Sequence, residues 1–203
     1  AVDSAPRLAV APLKARGHDD VGEAAAALTE SIASGLSRFP YLNVTTGQDR
    51  STGAGREPTY LLEGALVRSG PTLRLTVQLF KTATGEQVWG ETYDRSYRES
   101  SMLAIQDELT TRVVASVADS FGALMRDLSS GVTQRNPVDL TPYEALLRHL
   151  VYRQRLGPEE HAASRLALET AVQQVPGDSN IQAALSAVYL DEYKHSYNPL
   201  PNT

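Results

Sequence analysis

Cysteine is absent from this 203-residue chain. That excludes disulfide bonds, zinc–thiolate sites and cysteine nucleophiles, and leaves the redox compartment undetermined. Long apolar runs are missing too. Nothing approaches the roughly 18–20 residues that a membrane-spanning helix needs. No leader of basic, apolar and small residues opens the chain, so no signal peptide is expected within it, and an upstream targeting or spanning segment stays open. Basic clusters are also lacking. The net charge is -5, with 19 Lys and Arg against 24 Asp and Glu, and both halves are net acidic. Contact with a phosphate backbone needs a basic stripe, so nucleic acid is not an expected partner.

Compact chemical motifs are equally scarce. The four histidines, His18, His149, His161 and His195, show no metal-ligand spacing. His18-Asp19-Asp20 could hold a cation weakly but reads as a solvated loop. Gly53-Ala54-Gly55-Arg56 is glycine-rich yet lacks the phosphate-binding lysine and the helix that should follow it, so it reads as a flexible loop. No GxSxG nucleophile turn is present, and nothing in the sequence ties a serine to a histidine. No catalytic, cofactor-binding or metal-ligating residue is therefore named. Neither a cofactor nor catalysis is expected of this chain.

What is present supports a packed core: 41% of residues are hydrophobic and 21% charged. The length allows one or two domains. Residues 7–13 form a short apolar run with proline near its end, the pattern of a buried strand. In 21–38, Ala25, Leu28, Ile32 and Leu36 recur at helical spacing, and Pro40 should stop the helix. Residues 41–45 read as a second strand, completing a βαβ unit with parallel strands. Residues 46–58 read as a mobile loop. Three strands follow, over 60–68, 73–79 and 88–93. The first is apolar on both faces and so central, and the second alternates Leu73, Leu75, Val77 and Leu79 with polar residues. Turn signals at Ser69-Gly70-Pro71 and Thr84-Gly85-Glu86 make this an antiparallel meander.

One long helix is expected over 101–128, with Leu109, Val113, Val117, Phe121, Leu124 and Leu128 on one face and a stop at Ser129-Ser130-Gly131. At 1.5 Å per residue it would span about 42 Å and join the two parts of the chain. Residues 131–138, with Asn136-Pro137, read as a linker. Three helices are expected over 141–156, 158–175 and 179–193, followed by a Pro/Asn-rich tail at 198–203. The predicted fold class is α/β: a mixed five-stranded sheet (βαβ unit plus meander) with a long helix, over residues 1–130. An all-α helical repeat domain follows over 139–203.

The helical part resembles the tetratricopeptide repeat, a helix pair of 34-residue period. With Pro176 at the end of one repeat, Ser164, Leu168 and Ala171 fall on its small, large and alanine positions. Leu185, Ser186 and Tyr189 fall on the leucine, small and tyrosine positions of the next. Gln182 stands where tryptophan is usual, and His149 where a small residue is expected if about three residues are inserted near Gly157. The resemblance covers 141–193, about one and a half repeats. It implies close helix packing at Ala171 and Ser186, a protein-binding surface, and a chain that continues as further repeats.

The first 125 residues resemble the TolB-like amino-terminal domain of bacterial regulators, found beside tetratricopeptide repeats and sometimes after a nucleotide cyclase or winged-helix domain. The resemblance is carried by Leu8-Ala9-Val10 with Pro12, Leu28-Thr29-Glu30, Leu36-Ser37-Arg38-Phe39, Tyr60-Leu61-Leu62-Glu63-Gly64 and residues 73–79. Thr84-Gly85, Val88-Trp89, Glu91, Tyr93-Asp94 and Gln106-Asp107-Glu108 extend it. The family's short helix before the Tyr60 strand is replaced here by loop-like residues 47–56. The resemblance implies a non-enzymatic sensing or protein-interaction module of a bacterial signal-transduction protein. It would bind an unidentified small ligand at the α/β domain and a protein partner at the repeats. The alternatives are the regulatory part of an adenylate or guanylate cyclase, or the sensor part of a winged-helix transcription regulator. The resemblance suits a soluble part of an inner-membrane-associated bacterial protein, with the side of the membrane left open. In residue terms, Gly64 should allow close backbone approach and Trp89 should pack in the core. Glu63 needs a partner if buried, which Arg74 across the hairpin could supply, and Glu91 and Asp94 should be solvated strand-end residues.

Overall fold

The computed structural model describes residues 5–17, 20–39, 41–47, 57–97, 101–119 and 122–197. Expectations placed on His18, Asp19, Pro40, Phe121, the 53–56 run, most of the 46–58 loop and the 198–203 tail lie outside those residues. The chain forms two compact units, one of residues 5–125 and one from Arg126 onward.

In the first unit, strands β1 (Arg7–Val10), β2 (Lys14–Arg16), β3 (Asn43–Thr46), β4 (Tyr60–Ser69), β5 (Thr72–Lys81) and β6 (Gln87–Ser96) make one mixed sheet of order β3-β1-β4-β5-β6, with β2 also pairing β4. Helix α1 (Asp20–Leu36) lies between β2 and β3 in the chain, and α2 (Met102–Ala118) follows β6. The βαβ expectation holds, since β1 is parallel to both β3 and β4. The meander holds as well: β4, β5 and β6 pair antiparallel. Strand β2 was not legible in the sequence. Its residues are all exposed and show no apolar alternation. Beyond Pro12 it returns to the same edge of β4, setting Lys14, Ala15 and Arg16 against Ala65, Leu66 and Val67.

One sheet face carries the core. Leu73, Leu75, Val77 and Leu79 of β5 are fully buried there, beside Leu62 and Leu66 of β4 and Tyr93 of β6. The expected α1 stripe of Ala25, Leu28, Ile32 and Leu36 is buried, as are Leu109, Val113 and Val117 of α2. Burying one such leucine contributes about 1.5–3 kcal/mol relative to exposure. Gly64 sits where β4 meets β5: a Cβ there would lie 2.2 Å from the Thr76 carbonyl oxygen, so no other residue fits without moving backbone.

The ten-residue register corrects the expected Glu63–Arg74 pair. Glu63 lies opposite Gln78, while Arg74 lies opposite Val67 on one side and Asp94 on the other. Arg74 instead donates from Nε and Nη2 to both Asp94 oxygens at 2.7 Å, and this pair holds the Asp94 carboxyl below its ordinary range. Asp94 is solvated, as expected, but is paired across to β5 and does not stand free. Trp89 is half-buried opposite Leu79 on edge strand β6, where only one neighbouring strand flanks it, so it is not a core residue.

The single helix over 101–128 is also corrected. Helix α2 stops at Ala118, and α3 (Ala123–Thr133) is a separate helix. Asp119 turns extended, with φ -65° and ψ 163°, while its N–H still reaches the Ala115 carbonyl. A Cβ at Gly122 would lie 2.6 Å from the Val117 carbonyl oxygen, so glycine permits the chain to fold back there. Helix α3 then runs through Ser129-Ser130-Gly131, the expected stop. A periodic apolar face continues across such a break unchanged, which is why periodicity alone missed it.

The second unit contains most of α3, a 3₁₀ turn at Pro137–Asp139, and helices α4 (Pro142–Arg155), α5 (Pro158–Gln174) and α6 (Ser179–His195). Their ends follow local chemistry. Thr141 and Glu144 form a reciprocal capping box at α4, and Asp178 accepts from the Asn180 and Ile181 N–H groups at α6. Leu156 takes a left-handed conformation, φ 45°, between α4 and α5. Ser164, Leu168 and Ala171 of α5 are fully buried. Ser186 of α6 is exposed, so the close approach expected there is absent among the described residues.

Two sets of substitutions test this packing. Gly64→Ala should destabilise by about 1–3 kcal/mol through backbone overlap. Gly131→Ala, inside α3 with nothing within 4 Å of the new methyl, should be neutral or stabilising by up to about 1 kcal/mol. Similarly, Ala171→Leu should cost about 1–3 kcal/mol, whereas Ser186→Leu should stay within about 0.5 kcal/mol. Urea denaturation of the four variants checks both contrasts; equal effects within either pair would contradict the packing described.

Candidate functional site

Polar side chains gather at a groove in the first unit and at a cluster of helices in the second. In the first unit, α1 and α2 meet where Gly35 faces Val114; a Cβ at Gly35 would lie 2.7 Å from Val114 Cγ2. Around that contact opens a groove of about 760 Å³. Glu30, Ser31, Ser34, Arg38 and Phe39 line it from α1 and the turn after it, and Asp107, Thr110, Thr111, Ala115 and Asp119 from α2 and its end. The phenol of Tyr41 donates to the Ala118 carbonyl, so the segment after α1 is tied to the last residue of α2 and both helix C-termini lie at one end of the groove. Burial, reinforced by Asp119, pushes the Tyr41 phenol up to about 12. It therefore stays protonated and keeps donating. Three carboxylates and one guanidinium line the groove. The two helix C-termini add further partial negative charge. Thr111 Oγ1 donates to the Asp107 carbonyl within α2, and Thr110 Oγ1 is shielded from water with no partner among the described residues.

In the second unit a polar cluster joins three helices. Tyr152 of α4 is fully buried and donates its hydroxyl to Asp191 Oδ2 of α6 at 3.1 Å; Arg153 Nη1 donates to the same oxygen at 3.2 Å. Buried His161 of α5 meets the Val188 carbonyl through Nε2 at 3.0 Å, so Nε2 carries the proton. Arg165 of α5 donates to both oxygens of Glu192. Arg148, nearly buried, reaches Glu160 at 2.9 Å and the Val132 carbonyl. Tyr152 and Asp191 are both buried, so removing the Tyr152 hydroxyl leaves the Asp191 oxygen short of a partner, at about 1–3 kcal/mol.

The structure also ties a serine to a histidine: Ser164 Oγ lies 3.4 Å from His149 Nδ1. Ser164 is fully buried, so no substrate carbonyl can reach it, and the pair is structural. No group of three or more His, Asp or Glu among the described residues is placed to hold a metal. Sequence reasoning missed the Tyr152–Asp191–Arg153 cluster. Its signal was Asp191 itself, an acid continuing the buried Ile181, Ala184, Val188 stripe at helical spacing.

No family model matches the chain. A curated relative, "Putative adenylate cyclase 3" of Rhizobium meliloti (strain 1021), is 26% identical over 209 residues, covering 95% of this chain and 34% of the relative. The chain thus spans about a third of that relative's length. Among solved structures, a PelC L103M dodecamer from Paraburkholderia phytofirmans gives a TM-score of 0.43 at 18% identity, covering 57% of this chain and 90% of that one. TolB from Acinetobacter baumannii gives 0.39 at 12% identity, covering 57% and 29%. Lipoprotein GNA1162 from Neisseria meningitidis gives 0.36 at 14%, covering 55% and 98%. Likenesses this distant carry no argument about function, and none of these relatives bears on the tetratricopeptide resemblance. No helix among the described residues is long and apolar enough to cross a membrane.

His149 supplies a pH prediction. Burial, with the Arg153 charge, lowers its pKa from 6.5 to about 4. Between those values the unfolded chain binds a proton that the folded chain does not. Stability should therefore fall as pH drops from about 6.5 towards 4. Urea midpoints at pH 7, 5.5 and 4.5 should fall more steeply for the parent chain than for His149→Gln; parallel curves would remove His149 as the cause.

Proposed function

We propose that this chain is a non-catalytic, regulatory binding portion of a larger bacterial signalling protein whose catalysis, of the nucleotide-cyclase class, lies in other residues. The observation that carries this reading is the match to the cyclase-named relative: it takes in 95% of this chain but only a third of that protein. The geometry agrees with it. The Ser164 hydroxyl that meets His149 is fully buried, and no histidine is among the described residues that line the groove between α1 and α2. On this reading the chain is organised as two modules, residues 1–130 and 139–203. The first has the TolB-like role of engaging a ligand or partner. The second has the role of tetratricopeptide-like repeats, offering a protein partner the exposed face of α6. There Tyr189, Leu190 and Tyr193 are 48%, 52% and 87% exposed.

The purified 203-residue chain should convert neither ATP to cyclic AMP nor GTP to cyclic GMP with magnesium or manganese present. Cyclic nucleotide accumulating in proportion to the chain's concentration would overturn the reading.

A further inference from the structure

The groove between α1 and α2 has a shape and a charge that together select an occupant. Gly35 lets the helices approach at Val114, and the small residues Ser31, Ser34 and Ala115 line the groove beside that contact. Its volume of about 760 Å³ lies in the upper part of the roughly 300–1,000 Å³ range of ligand clefts. That is far more than a metal ion or simple amine fills. Glu30, Asp107 and Asp119 contribute three negative charges against the single positive charge of Arg38. The C-termini of both helices end at the same side, adding negative potential where Phe39 and Asp119 stand. Hydroxyls of Ser31, Ser34 and Thr111 supply neutral hydrogen-bonding positions between the charged ones. Phe39 and Val114 supply apolar contact.

We propose that this groove docks an extended basic segment of a partner protein, with its Lys or Arg side chains placed towards Glu30, Asp107 and Asp119 and small apolar residues between them. Charge of opposite sign steers such a segment into the groove and sets its register. The inference concerns this chain alone and stands whatever the whole protein catalyses.

The test uses the intact 203-residue chain and a fluorescein-labelled peptide of alternating Lys and Ala, followed by fluorescence anisotropy at low and physiological salt. The peptide should bind, more weakly as salt rises, and a Glu/Ala peptide of equal length should not. Glu30→Lys with Asp107→Lys should weaken binding at least tenfold, and Ser34→Trp, which fills the groove without changing charge, should do likewise. All three positions are exposed, so the fold should survive, which circular dichroism checks. Arg38→Ala should strengthen binding. Glu23→Lys with Glu86→Lys makes the same change in net charge away from the groove and should weaken binding less than threefold. The proposal is overturned if this control loses as much affinity as the groove variant, if Ser34→Trp binds as well as the parent, or if the Glu/Ala peptide binds equally. It is also overturned if spermidine displaces the peptide at matching concentration, which would assign the groove to small amines.

Discussion

The sheet depends on β4 being hydrogen-bonded along both edges. Its ten residues take β1 and then β2 in parallel on one side and all of β5 antiparallel on the other. Among the described strands, the βαβ part and the meander are hydrogen-bonded to each other through it. The constraint reaches down to a single residue, since Gly64 is the place where β4 and β5 come too close for any side chain. The unbroken β4–β5 register sets Glu63 opposite Gln78 and away from Arg74, while the β5–β6 register puts Arg74 beside Asp94.

The same register buries one sheet face beneath α1 and α2, and so sets these helices side by side. Once Gly35 has let α1 approach Val114, the polar residues on the outward sides of the two helices have to line a common groove. The groove's acidity follows from that approach. Glu30 and Asp107 are ordinary solvated helix residues until the helices are packed, and only then do they face one space.

In the second unit, polar groups join the helices as much as apolar ones. Tyr152, Arg153 and Asp191 link α4 to α6 across the position of α5, while His161 and Arg165 of α5 reach the same α6. Such a network ties helix orientation to matched donors and acceptors, which an apolar seam leaves freer. Ser164, beside His149, is fully buried in the same helical unit.

Local pattern determined the element types and much of their extent. The alternation from Leu73 to Leu79 and the 3–4 spacing of α1 are signals confined to a few neighbouring residues, so they are readable in the chain itself. The TolB-like and tetratricopeptide resemblances likewise rest on short spacings. Tertiary structure alone decided the rest. Strand β2 exists because β4 has a free edge beyond Pro12, not because Lys14-Ala15-Arg16 has a strand pattern. Helix α2 ends where it does because Gly122 can lie against Val117, while the apolar period runs on regardless. Trp89 is half-buried because it falls on an edge strand. The α1–α2 groove and the Tyr152–Asp191 cluster join residues about 75 and 39 positions apart. Hydrophobic period and capping chemistry act over one or two turns, whereas pairing register and helix approach act between segments, and a linear sequence carries no direct record of which segments will meet.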